Sequence, residues 1–121
     1  MEPVDKKRKD VWIAFSDLFL DTDQTIYYKN IIQVCAGSNF SIKELQEILF
    51  YEVAPVCSAN LKSVAGEWIG FDQNWLISNI FKHTNKKEWK LKLYKYFGFK
   101  GYIKDHWKKL EIKIIDKRNG N

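Results

Sequence analysis

The chain has little of what metal centres and disulfide frameworks require. Its 121 residues include two cysteines and two histidines. Neither cysteine has a Cys or His neighbour at ligand spacing, so a zinc site is not expected. Cys35 and Cys57 lie in the apolar settings "IIQVCAG" and "APVCSAN", which favours two buried thiols over a bridge. No apolar run approaches the ~20 residues that span a bilayer. The charged opening "MEPVDKKRKDVW" is not followed by an apolar segment ending in small residues, so a secretory leader is not expected. No internal repeat is present. These gaps lead to the expectation of a cytoplasmic globular protein without metal, cofactor or membrane contact.

What is present is core material. Hydrophobic residues make up 45% and aromatics 16%, enough for one core without staples. The net charge of +5 is unevenly placed: residues 1–80 carry −4 and residues 81–121 carry +9. Such a split bears on partners or on mutual docking.

Helical periodicity dominates. Trp12, Phe15, Leu18 and Phe19 form an apolar stripe over about residues 5–20, with Val11 and Leu20 flanking it. Asp21 or Asp23 can cap a second helix over about 24–36, which would bury Ile26 or Tyr27, then Ile31, Val34 and Cys35. Gly37 in "GSNF" can end it in a left-handed conformation. Ser41 and Glu44 form a capping box, with Phe40 and Leu45 as its staple. A third helix then carries Leu45, Ile48, Leu49 and Val53. Pro55 ends it and suits the first turn of a fourth, with Val56, Cys57, Leu61 and Val64. Asp72 caps a fifth, with Trp75, Leu76 and Ile80 inward.

After Lys82 comes the polar connector "HTNKK". Residues 86–100 fit a short helix but also alternate like a strand, and Gly98 and Gly101 mark a turn. Ile103, Trp107, Leu110 and Ile114 fit a last helix with Lys104, Lys108 and Lys109 outward. The fold class is therefore all-α: a compact bundle of about five short helices plus a basic C-terminal helical extension. Residues 1–84 form the helical core domain, and residues 85–121 a basic aromatic-rich segment packed on it.

"SVAGEWIGFDQNWL", Ser63 to Leu76, mixes Trp68, Phe71 and Trp75 with Glu67 and Asp72. Gly66 and Gly70 widen its backbone options. Glu67 and Asp72 could form a carboxylate pair for acid–base chemistry. No nucleophile or further acid stands nearby and Asp72 already has a capping role, so the stretch reads as a helix–helix corner. Ser58 and Ser63 lack a positioned base. His83 and His106 read as exposed and incidental. An enzyme is not expected.

"VWIAFSDLFLDT", "FSIKELQEILFYEVAPVCSANLKSVAGEW" and "GFDQNWL" resemble a family of small bacterial helical proteins of unknown function. The similarity spans roughly residues 10–80, its most specific part being SVAGEW-x-GFD-x-x-WL, and the basic segment after residue 81 lies outside it. The family brings no activity with it. Small helical proteins of this kind resemble immunity proteins that accompany secreted bacterial toxins, which implies a protein partner.

Two surfaces could meet a partner. One is acidic: Asp17, Asp21, Asp23, Glu44, Glu47 and Glu52. The other is basic: Lys90, Lys92, Lys95, Lys104 and Lys108, interleaved with Trp89, Tyr94, Tyr96, Phe99, Tyr102 and Trp107. The expected function is protein binding that occludes a cognate toxin, with charge steering the encounter. The alternative is nucleic-acid binding by the Lys/aromatic segment, lysines holding phosphates while rings stack on bases. The absence of Arg from that segment before Arg118 argues against base-specific readout. A third reading docks the basic helices onto the acidic front block, of this copy or a second one.

Overall fold

Residues 5–19, 24–61, 72–84 and 97–120 are described by a computed structural model, and every regular element among them is helical. Helix α1, Lys6–Ser16, starts at Asp5, whose carboxylate accepts from the Lys7 amide at 3.2 Å. It tightens into a 3₁₀ turn at Asp17–Phe19. Its predicted stripe is correct: Trp12, Phe15, Leu18 and Phe19 are buried, as is the flanking Val11, while the flanking Leu20 lies outside the described residues.

A 3₁₀ turn, Gln24–Tyr27, leads into α2, Tyr28–Gly37. Of the two candidates for its first inward residue, Tyr27 packs half-buried against the core, as Val34 does. Ile26 is 66% exposed, and the inward line is Tyr28, Ile31 and Cys35, spaced three and four apart. Gly37 is not left-handed; Gly120 is the one described residue with positive φ. Ser38 stops α2 instead, in extended conformation, its hydroxyl donating to the Cys35 carbonyl at 2.7 Å.

Helix α3, Ile42–Glu47, opens with the expected capping box: Glu44 N to Ser41 Oγ and Ser41 N to Glu44 Oε1, each at 3.1 Å. No break follows. A π-helical turn, Ile48–Val53, runs directly into α4, Ala54–Leu61. Ala54 N–H donates to Leu49 O, five residues back. This wider turn carries the helix past Pro55, which lacks an amide hydrogen and whose ring would strike the Tyr51 carbonyl in an unbroken α-helix. Two expected helices are thus one rod with a local widening.

Helix α5, Gln73–Thr84, begins where Asp72 accepts from the Trp75 amide at 2.9 Å. Helix α6, Phe97–Arg118, passes through Gly98 and Gly101 rather than turning at them. It ends as Asn119 N bonds to Ile115 O at 3.0 Å and Gly120 takes φ 85°.

The core gathers Trp12, Phe15, Leu18, Ile31, Leu45, Ile48, Leu49, Leu76 and Ile80 with Ile103, Trp107, Leu110 and Ile114 of α6. Each such fully buried aliphatic side chain contributes about 1.5–3 kcal/mol relative to exposure. The C-terminal helix is therefore part of the single core, lying along α2 and touching α3. It runs in the same direction as α2, since Tyr28 meets His106 near one end and Arg118 meets Cys35 and Ala36 at the other. Phe15 and Trp107 pack edge to face, centroids 6.2 Å apart. No helix among the described residues is long and apolar enough to cross a membrane.

Candidate protein-binding surface

The α3–π rod sorts its side chains by face. Leu45, Ile48, Leu49, Glu52 and Val53 point inward, while Glu44, Glu47 and Tyr51 are exposed. The spacing of three and then four places those three on one outer strip. Glu44 is committed to the capping box, and the bonds from Ser41 hold its carboxyl below the usual range. Glu47 and Tyr51 are also exposed, one turn apart, Tyr51 at 38%.

Glu52 does not belong to the acidic surface expected of it. It is only 6% exposed and is held by two residues of α1. Arg8 pairs with it through one guanidinium edge in a two-point contact, Nε to Oε1 at 3.0 Å and Nη2 to Oε2. Trp12 Nε1 also donates to Oε1, at 2.7 Å. The bond to Glu52 raises the Arg8 pKa, and the guanidinium lies over the Phe40 ring, 5.5 Å from its centroid. A carboxylate this buried is tolerable because its charge is paired and its oxygens are filled.

The other expected acids also part company. Asp17 caps the far end of α1, roughly 14 Å along the helix from Arg8. It is half-buried, and desolvation pushes its carboxyl up to about 6. Asp21 and Asp23 lie outside the described residues. Among the described members of that set, the fold brings Glu44 and Glu47 together, with Tyr51 added.

On the basic side, Lys104 and Lys108 are exposed on α6, whereas Lys90, Lys92 and Lys95 lie outside the described residues. Trp107 is buried and donates through Nε1 to Gln46 at 3.1 Å, so its ring faces the core and cannot stack on a base. His106 is not incidental. It is half-buried, shares a hydrogen bond with the Tyr28 hydroxyl, and meets that ring edge to face, centroids 5.6 Å apart. Burial lowers its pKa, as does Lys109, against a smaller raising effect of Asp105.

Of the Ser63–Leu76 corner, Gly66, Glu67, Trp68, Gly70 and Phe71 lie outside the described residues. Asp72 is the N-cap it was expected to be, and Trp75 packs half-buried against the core. Cys35 and Cys57 are free and buried. Burial pushes Cys35 up to about 12, Arg118 opposing, and burial followed by the Asp17 charge raises Cys57 as well. Both stay thiols near neutral pH.

Sequence reasoning missed the Arg8–Glu52–Trp12 cluster, whose members stand 40 and 44 positions apart. It also missed Arg118, which donates to Cys35, Ser38 and Phe40 carbonyls at 2.9, 3.1 and 2.6 Å and to Ala36 O at 3.3 Å. The last residue of α6 thereby closes the open carbonyl end of α2. Tyr51 had a weak signal: an aromatic four residues after Glu47 on a helix already phased by Leu45 and Leu49.

The fold and this surface define a small all-helical protein whose strongest polar contacts are turned inward. Residues 6–113 match DUF7079, a domain of unknown function, and the chain belongs to that family. The match extends through the basic segment, which corrects the expectation that the family pattern stops near residue 81. Neither curated proteins nor solved structures gave a match.

Proposed function

We propose that the chain is a non-enzymatic protein-binding domain that covers and neutralises a cognate bacterial toxin in the cytoplasm. The observation that carries this reading is the exposed strip of Glu47 and Tyr51 on the α3–π rod. Burial of the rod's opposite face in the core supports the strip, so a partner meets preformed backbone and little ordering cost falls on binding. Tyrosine supplies a rigid amphipathic contact, and an adjacent carboxylate attracts a basic partner and accepts its hydrogen bonds.

Tagged full-length protein recovered from its host, with and without nuclease, tests the reading. The expected result is one stoichiometric protein partner that survives nuclease, is released by Glu47→Lys with Tyr51→Ala, and is toxic when expressed without this chain. Retention of the partner by that double variant would move the binding surface elsewhere. A partner harmless on its own would end the toxin reading.

Nucleic-acid binding is the second reading, supported by the exposed Lys104 and Lys108. Inward placement of Trp107 removes one of its stacking rings. It predicts recovery of nucleic acid, with protein partners lost on nuclease treatment.

A further inference from the structure

The outward face of α6 is unusual for a charged helix. Two of the four large apolar side chains exposed among the described residues stand on it, Ile112 at 61% and Ile115 at 39%. At about 100° per residue, Ile112 projects directly away from the Ile103–Trp107–Leu110–Ile114 line that packs into the core. Lys108 and Ile115 flank it on one side, and Lys109 and Asp116 on the other. All four flanking residues are exposed. Neither Lys109 nor Asp116 forms an ion pair with a described residue, the two ion pairs there being Lys6–Asp10 and Arg8–Glu52.

We infer that this face is a two-fold interface between two copies of the chain, with their α6 helices antiparallel and the axis beside Ile112. Helix geometry fixes what then meets. Ile112 packs on its own symmetry mate. Along one edge, Lys109 of each copy falls level with Asp116 of the other, because the positions lie almost equally far before and after the axis. Along the opposite edge, Ile115 of each copy comes under the aliphatic stem of Lys108 of the other, with the ammonium free to reach water. The pattern is self-complementary, as an isologous contact requires. A parallel two-fold pair would bring opposite edges together, setting Lys109 of each copy against Lys108 of the other and Asp116 against Ile115, so like charges and an unmatched carboxylate disfavour it. The interface is separate from the Glu47/Tyr51 strip, because the side of α6 that touches α3 is its buried side.

Sedimentation equilibrium of the full chain from micromolar to near-millimolar concentration tests this. The expected result is a monomer–dimer equilibrium in which Ile112→Glu raises the dissociation constant at least roughly tenfold. Lys109→Glu weakens it by a similar order, and Lys109→Glu with Asp116→Lys in the same chain restores it, since both cross-pairs are then rebuilt with reversed sign. These positions are exposed, and unchanged far-UV circular dichroism verifies folding of each variant. A wild-type chain that stays monomeric throughout overturns the inference. So does a dimer indifferent to Ile112→Glu, or a charge-swapped variant no tighter than Lys109→Glu alone.

Discussion

The chain has two arginines among its twenty basic residues, and the fold uses them differently. Arg8 fastens α1 to the π turn by meeting a full charge, the buried Glu52. Arg118 fastens α6 to α2 by meeting only dipoles, the carbonyls of Cys35, Ala36, Ser38 and Phe40. At the first seam, losing one partner strands a charge in the core. At the second, losing the guanidinium leaves carbonyls at a helix end that water can partly satisfy. Buried charge pairs are fragile to one-sided change, whereas carbonyl caps fail gently.

Arg8→Met should therefore have the largest effect, a loss of about 3 kcal/mol in urea unfolding. Adding Glu52→Gln should recover more than half, because the amide oxygen still serves Trp12 while the stranded charge is gone. If the double variant is no better than the single one, the ion pair is not what makes that seam sensitive. Arg118→Ala should cost about 1.5 kcal/mol. Arg118→Lys should recover little, since an ammonium lacks the fork that reaches four carbonyls. Full recovery by Lys would make the contact a matter of charge near the α2 terminus alone.

Smaller effects separate the ends of the molecule by pH. Asp17 is harder to ionise folded than unfolded, so the folded state holds its proton to about pH 6. Its burden is absent below the unfolded value near 3.8, grows as pH rises to about 6, and is constant above. Asp17→Asn should raise stability near neutral pH by on the order of 1 kcal/mol, a figure reduced for its partial exposure. No gain is expected below about pH 4. Thermal melts across that range read the difference. His106 acts in the opposite sense. Its pKa is lowered by burial first, so stability should decline as pH falls through about 6.5, the ordinary imidazole value. His106→Gln should flatten that limb in the same melts, the smallest change of the set.

Most of the architecture was legible from the residues. The stripes of α1, α3 and α6 gave their buried members correctly, because apolar spacing alone sets which side of a helix seeks the core. The capping box at Ser41 and the cap at Asp72 were legible because a side chain bonds an amide two or three residues away. The choice between Ile26 and Tyr27 at α2 was not legible, since the 3₁₀ entry is what turns Ile26 outward, and at Pro55 a π turn replaces the expected break. Both depend on hydrogen-bond register, which composition does not encode. The candidate site was less visible. Glu47 was in the expected set, but Glu52, five residues on, looks the same in sequence and is buried.

By itself the sequence determined that this chain is all-helical, which residues form most of its described core, and that its charge is divided between front and back. Those properties arise from contacts within a few turns and from solvation of each side chain in turn. Only the tertiary structure decided which charges remain on the surface. Arg8 and Glu52 lie 44 residues apart, and Arg118 lies about 80 from the carbonyls it closes. No local pattern announces such pairings. They form because helix packing places a donor and an acceptor in the same dry space, where neither can stay unsatisfied.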